Sequence, residues 1–219
     1  MLLTQTHIPA SCLLFDMDGT LLNSYAPMLR AYTAWANRYG LDIDFVIRES
    51  HGRRSIDTVR ALAPAGADVE ADNAEIMRRE REDTDGVVAI PGARALLESI
   101  PEDRWAVVTS ADRVLATARI KAAGLPMPKL LISAENVTHG KPAPDCFLLG
   151  ARELGADPTR AIVFEDSPAG IQAGIAAGAT VVAIASTLSP EELGNQGWVR
   201  DMSTMRLGND ASGLVLHID

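Results

Sequence analysis

Cysteine is scarce. Cys12 and Cys146 are the only two in 219 residues, too few for a disulfide framework or a cysteine-rich zinc site. Both sit beside apolar residues, as buried free thiols in a reducing compartment do. Basic residues are outnumbered: 20 Lys plus Arg face 29 Asp plus Glu, a formal charge of −9. That balance argues against a nucleic-acid partner, which calls for a net basic face. It leaves an anionic small molecule open as substrate, provided the positive charge is local: a metal, a lysine or helix N-termini. Long apolar runs are missing. The most apolar window, Ile171–Ala185, is short for a membrane span and rich in Ala and Gly. The stretch MLLTQTHIPASC has no Lys or Arg before its short apolar run, unlike a signal peptide. Neither the GxxxxGKS/T phosphate loop nor the GxGxxG dinucleotide turn occurs, and no fixed-period repeat is visible. A cytoplasmic protein with no membrane partner is the expectation.

What is present is globular. A chain of this length buries roughly 70–75% of its unfolded surface and needs no staples. LLFD (Leu13–Asp16) is a short apolar run ending in Asp, followed by Gly19. WAVVT (Trp105–Thr109), KLLIS (Lys129–Ser133), AIVFE (Ala161–Glu165) and ATVVAI (Ala179–Ile184) share its character. Runs apolar on both faces suit a parallel sheet covered by helices on either side. Helical stretches separate them at Ala93–Ile100, Val114–Ala123, Asp145–Leu154 and Ala169–Ala177. The alternation predicts an α/β fold with a doubly wound, Rossmann-like parallel sheet. RLGNDASGLVLHI reads as a closing hairpin with its turn near Asn209–Ser212.

The stretch Ser24–Ala89 breaks the alternation. It holds no convincing buried strand and reads as helices at Ala26–Tyr39, Asp44–Glu49, Ser55–Ala63 and Val69–Glu82. A small α-helical insertion after the first strand of the sheet is therefore expected. Residues 1–23 and 90–219 would form a core and residues 24–89 a helical cap.

Chemistry concentrates at strand ends. In FDMDGTLLNS (Phe15–Ser24), Asp16 and Asp18 flank one residue at the carboxyl end of a buried strand, where open α/β sheets bind ligands. Two close carboxylates repel unless a cation or proton joins them. A calcium loop starting at Asp16 would need Gly sixth and Glu twelfth, but Leu21 and Pro27 stand there. In VFEDSPAGI (Val163–Ile171) a second apolar strand ends in Glu165 and Asp166. Here an N-cap at Asp166 or Ser167, with Pro168 in the first turn, competes with metal binding. In GKPAPD (Gly140–Asp145) two prolines stiffen the loop around Lys141, which is otherwise an ordinary surface lysine. Thr109 and Ser110, at the end of WAVVT, suit either a helix cap or a phosphate oxygen. Gly170, Gly174 and Gly178 recur every four residues and read as close packing of a helix on the sheet. His7 and His217 lie near the termini with no partner in sequence.

DMDGT, VVTS, GKPAPD and FEDSPAGIQAG, in this order, resemble the four motifs of the haloacid dehalogenase-like hydrolases, and the insertion resembles their small helical cap. SHGRRSIDTVRALAP, IPEDRWAVVTSA and the closing hairpin are similar to the sugar and polyol phosphatases of that group, such as 2-deoxyglucose-6-phosphatases, glycerol phosphatases and hexitol phosphatases. The resemblance implies a Mg²⁺-dependent phosphatase acting on a small sugar or polyol phosphate. Asp16 would be the nucleophile, giving an aspartyl-phosphate, and Asp18 the general acid and base. Asp16, the backbone carbonyl of Asp18 and Asp166 would bind Mg²⁺, with Glu165 on a metal-bound water. Thr109, Ser110 and Lys141 would hold phosphate oxygens. His51, Arg53, Arg54 and Ser55, in the cap, would meet the rest of the substrate, unless the arginines only pair with cap acids. Asn23 stands where many relatives carry Asp. A phosphomutase of the β-phosphoglucomutase type and a phosphoglycolate-like small-acid phosphatase remain as alternatives on the same core. A monomer or weak homodimer is expected.

Overall fold

A computed structural model describes residues 1–210 and 213–219. In chain order it runs β1 (Thr6–Ala10), β2 (Cys12–Phe15), β3 (Leu22–Asn23), α1 (Tyr25–Tyr39), α2 (Ile43–Ser50), α3 (Ser55–Leu62), α4 (Val69–Glu82) and β4 (Val88–Ala89). There follow α5 (Ala93–Ser99), β5 (Trp105–Val108), α6 (Arg113–Ala122), β6 (Leu131–Ile132), α7 (Asp145–Glu153), β7 (Ala161–Glu165) and α8 (Pro168–Ala176). The chain closes with β8 (Thr180–Ile184), α9 (Pro190–Leu193), β9 (Trp198–Val199), β10 (Met205–Asp210) and β11 (Gly213–Ile218).

The main sheet has the order β6-β5-β2-β7-β8-β9, and every pair in it is parallel. Side chains alternate between its faces, and both faces are buried. Leu13, Phe15, Trp105, Val107, Ile162 and Phe164 enter one core. Cys12, Leu14, Ala106, Val108, Ala161 and Val163 enter the other. This two-sided burial is why the strands carry near-continuous apolar runs. Phe15 stacks on Phe164 with ring centroids 4.4 Å apart. The chain leaves β2 toward β5 and β6, then returns to the other side of β2 at β7. The order therefore reverses at β2, and that reversal opens a crevice beyond its carboxyl end.

Helices α1–α4 bury their own cluster, with Tyr32, Trp35, Val46, Ile47, Val59 and Ile76 at its centre. The expected helix at Asp44–Glu49 is α2, one residue longer at each end, because Asp42 caps it by accepting from the Asp44 and Phe45 amides. Two short strands tie these helices to the sheet: β3 and β4 pair antiparallel, Leu22 opposite Ala89 and Asn23 opposite Val88. The sequence predicts no strand there, because two-residue strands carry no periodicity.

Three further features depart from the sequence expectation. LLFD is the first strand of the main sheet, as expected, but an unforeseen strand, β1, precedes it. Strand β1 pairs antiparallel with β11, and β10 completes a separate three-stranded sheet. Part of the expected hairpin turn, residues 211–212, lies outside the described residues. His7 and His217 are partners after all: they face each other across β1 and β11, with rings in edge contact at 4.6 Å. The recurring glycines do different jobs. A Cβ on Gly174 would sit 2.8 Å from Val181 Cγ2, which is close packing on the sheet. Gly178 instead ends α8 with φ of +80°, and Gly170 makes room for Glu165, described below.

The junction where the chain returns from α4 to the sheet rests on Gly92. Its φ is +80°, and a Cβ there would lie 2.3 Å from the backbone carbon of Met202. The Met202 amide donates to the Pro91 carbonyl at 3.0 Å, so neither strand of backbone can yield. Left-handed strain and backbone overlap add. Gly92→Ala should lower unfolding free energy by about 2–4 kcal/mol, measured by urea denaturation.

Candidate active site

Beyond the carboxyl end of β2 the chain turns back on itself. The Leu21 and Leu22 amides donate to the Met17 carbonyl, and the Gly19 amide to the Leu22 carbonyl. This turn sets Asp16 on the floor of the crevice and Asp18 at its side. Asp16 is buried. Lys141 Nζ donates to Asp16 Oδ1 at 2.5 Å, to Glu165 Oε1 at 2.7 Å and to the Val108 carbonyl at 3.2 Å. All three ammonium protons are thus engaged. The proline-flanked loop does hold Lys141 at a fixed place, and that place is buried rather than solvated. Burial opposes the charge on Lys141, but Asp16 and Glu165 outweigh it and hold the ammonium above the ordinary lysine range.

Glu165 and Asp166 have separate tasks. Glu165 Oε2 accepts from the Asp166 and Ser167 amides and from Ser167 Oγ. Both Glu165 oxygens are therefore spent on protein donors, and this side chain orients Lys141 and the start of α8. It fits only because Gly170 has no side chain: a Cβ there would lie 1.6 Å from Glu165 Oε1. Ser167 is the N-cap, accepting from the Gly170 amide at 3.1 Å, with Pro168 next. That leaves Asp166, which is just as buried, to other partners. Thr20 Oγ1 donates to its Oδ1 at 2.9 Å and Thr187 Oγ1 to its Oδ2 at 2.8 Å. Gly19, with φ of +83°, passes so close that a Cβ would meet Asp166 Oδ2 at 2.1 Å.

The donor set fits a hard divalent cation. Carboxylate oxygens of Asp16, Glu165 and Asp166 lie within 4.8 Å of one another, all buried, although those of Glu165, expected to hold a metal-bound water, already accept from Lys141, Asp166 and Ser167. Against three carboxylates the floor supplies one ammonium. Burial and the Glu165 and Asp166 charges push Asp16 well above the ordinary carboxylate range, against the pull of Lys141. Burial and Glu165 push Asp166 up to about 8, against the hydrogen bonds from Thr187 and Thr20. Carboxylates crowded in this way gain most from an added positive charge.

Above the floor lies a cavity of about 620 Å³, roofed by α1–α4. Asp16, Asp18, Thr109, Ser110, His51, Arg53, Arg54 and Ser55 all line it. Their hydrogen bonds sort them. Thr109 Oγ1 accepts from the Ala111 amide, and Ser110 Oγ donates to the Gly52 carbonyl in the cap at 2.8 Å. The cap of α6 is neither of these but Asp112, which accepts from the Val114 and Leu115 amides. Arg54 is largely committed: it pairs with Asp57 at 2.6 Å and donates to the Thr138 carbonyl at 3.1 Å. Ser55 Oγ donates to Asn73 Oδ1 at 2.6 Å. Arg53 is exposed. Burial holds the half-buried His51 imidazole below its ordinary value. Asn23 sits at the turn into α1 and accepts from the Tyr25 amide at 2.9 Å.

Some site residues carry no signal in the sequence. Thr187 lies in an unremarkable loop after β8. Arg119 and Glu80 sit within ordinary amphipathic helices, and only their burial marks them: Arg119 is 3% exposed and Glu80 6%. Thr20 was visible as part of DGT, but its bond to Asp166, 146 residues away, was not.

Comparison with known proteins agrees with this fold. A sequence model described as haloacid dehalogenase-like hydrolase matches residues 10–178. The hexitol phosphatase A of Escherichia coli (strain K12) is 42% identical over 175 residues, covering 78% of this chain and 81% of that protein. Glycerol-1-phosphate phosphohydrolase 2 of Saccharomyces cerevisiae is 36% identical over 216 residues, covering 89% of this chain and 84% of that protein. Among solved structures, a hydrolase from Pseudomonas syringae superposes with a TM-score of 0.78 at 25% identity, covering 89% and 94% of the two chains.

The raised Asp166 value has a consequence for stability. Its folded value of about 8 exceeds the 3.8 of a free carboxylate, so the folded state binds more protons between those values. In metal-free protein this carboxyl should therefore weaken the fold progressively as pH rises through that window. A divalent cation competes with those protons. Thermal melts with and without Mg²⁺ should show a stabilisation that is small at the acid end of the window and largest near its upper end.

Proposed function

The chain belongs to the haloacid dehalogenase-like hydrolases, and on that premise we propose that it is a Mg²⁺-dependent phosphatase that hydrolyses a small sugar or polyol phosphate through a phosphoenzyme on Asp16. The observation that carries this reading is the buried Asp16–Lys141–Asp166 floor beneath a cavity walled by the chain's own helices. The names of the hexitol and glycerol phosphatases support the substrate class. Among the described residues no helix is long and apolar enough to cross a membrane, and the two buried free thiols suit a reducing cytoplasm.

In this reading Asp16 attacks phosphorus from the floor while Lys141 holds its carboxylate in line. Asp16, the Asp18 carbonyl and Asp166 would hold Mg²⁺, with Thr20 and Thr187 fixing the Asp166 oxygens. Bound there, the ion supplies positive charge that offsets repulsion between a dianionic ester and an anionic nucleophile. Thr109 and Ser110, which line the cavity, would meet phosphate oxygens, Ser110 by giving up its bond to the Gly52 carbonyl. Asp18 stands beside the reacting centre and gives a proton to the leaving oxygen, then takes one from the water that frees Asp16. The roof excludes bulk water from the intermediate.

A cavity of about 620 Å³ has room for a six-carbon polyol phosphate. Arg54, tied to Asp57, offers little to a second phosphate, which favours monophosphates over bisphosphates. Arg53 and His51 are left to choose among substrates. Arg53→Ala should change the ranking of sugar and polyol phosphates more than it changes turnover of p-nitrophenyl phosphate. A phosphate-release panel measures this.

The two aspartates should fail differently. Asp16→Asn removes the attacking carboxylate, so turnover and trapping of a phosphoenzyme should both vanish. Asp18→Asn keeps the nucleophile and loses proton transfer, a cost of about 10²–10⁴-fold. That cost should be severe for an alkyl ester and mild for p-nitrophenyl phosphate, whose leaving group needs no proton. A burst of p-nitrophenol from Asp18→Asn, absent from Asp16→Asn, is the expected result. Full turnover by Asp16→Asn would overturn the reading.

A further inference from the structure

Asp18 is held by a buried side chain from the wall of the same cavity. Arg119 extends from α6 and is 3% exposed. One guanidinium nitrogen, Nη1, donates to Asp18 Oδ1 at 3.0 Å, and the other, Nη2, to Glu80 Oε1 at 2.9 Å. Ser24 Oγ donates to the same Asp18 oxygen at 2.5 Å. Two donors on Oδ1 leave Oδ2 as the oxygen to exchange a proton with substrate. Glu80 is buried too, and it belongs to α4, whereas Arg119 belongs to the sheet domain and Asp18 to the turn after β2.

A buried guanidinium is costly unless its charge is matched. Here Glu80 matches it from one side and Asp18 from the other, while its Nε finds no partner among the described residues. The arrangement is more than packing, because a carboxylate at a turn has two free torsions and an anchored one has almost none. Proton transfer to a leaving oxygen tolerates little misplacement. The roof enters the same fork through Glu80: when α4 is seated, Arg119 is held at both ends and Asp18 is aimed.

We propose that Arg119 is a positioning residue that aims Asp18 at the leaving oxygen, and that Glu80 makes this aim depend on the seating of the helical cap. The proposal rests on the phosphatase reading above. It requires that loss of Arg119 behave as a partial loss of Asp18, felt in proportion to how much the leaving group needs a proton. A purely structural ion pair would lower all turnover alike.

The test compares kcat/KM on glycerol-1-phosphate and on p-nitrophenyl phosphate, with Mg²⁺ present. The variants are Arg119→Lys, Arg119→Met, Glu80→Gln and the double variant Arg119→Met with Glu80→Leu. The double variant removes both buried charges together, so it stays informative if a single variant leaves an unpaired charge and unfolds. Arg119→Met and the double variant should lose about 10–10²-fold on the alkyl ester, a fraction of the full acid–base term, and only a few-fold on the aryl ester. Arg119→Lys should recover part of the alkyl-ester loss, and Glu80→Gln should fall between wild type and Arg119→Met. Equal losses on both esters in folded variants, or no loss in the double variant, would overturn the proposal alone. Absence of turnover of either ester by the wild type would overturn the phosphatase reading and this proposal with it.

Discussion

One buried ammonium organises the centre of this protein. Lys141 binds Asp16, Glu165 and the end of β5 at once, and so joins the segments that follow three different strands. Without it, the carboxylates that end β2 and β7 would face each other with no cation, in a place where charge is expensive. With it, they still exceed the available positive charge. Burial first, and that residual excess second, raise Asp16 and Asp166, and both make the floor receptive to a divalent ion. An acidic chain could then serve an anionic substrate, because a cation held on that floor would concentrate positive charge at one point.

The surrounding groups keep this cluster in register. Glu165 spends both oxygens on Lys141 and on the start of α8, and Gly170 leaves it the space to do so. Thr20 and Thr187 fix Asp166 from the two loops that flank it. Adjacent acids thus take different partners: Glu165 holds Lys141 and the start of α8, and Asp166 holds the two threonine hydroxyls.

The roof communicates with the floor through a few polar bridges. Ser110 reaches the Gly52 carbonyl, Arg81 of α4 pairs with Asp112 at 3.1 Å, and Arg119 joins Glu80 to Asp18. Helices α1–α4 share an apolar cluster apart from the two on the sheet. Its connection to the sheet is the two-residue ribbon β3–β4 and the Gly92 junction. A body with its own core on a narrow neck can shift without unpacking either core, and the bridges set where it rests.

Local chemistry was legible in the chain alone. The apolar runs that become β2, β5, β7 and β8 declare a sheet buried on both faces, since a solvent-facing strand would alternate. The acids at the ends of LLFD and AIVFE, the proline-braced Lys141 and the hydroxyls after WAVV lie at strand ends, where an α/β sheet gathers ligands. What the tertiary structure alone decided were pairings of distant and unremarkable residues. His7 meets His217, Thr187 meets Asp166, and Arg119 meets both Glu80 and Asp18. None of these carries a periodic or motif signal, because each contact is made by folding over long stretches of chain and not by neighbours in sequence. Short strands such as β3, β4 and β9 escape for a related reason: two residues hold no pattern, and only their partners across the sheet make them strands.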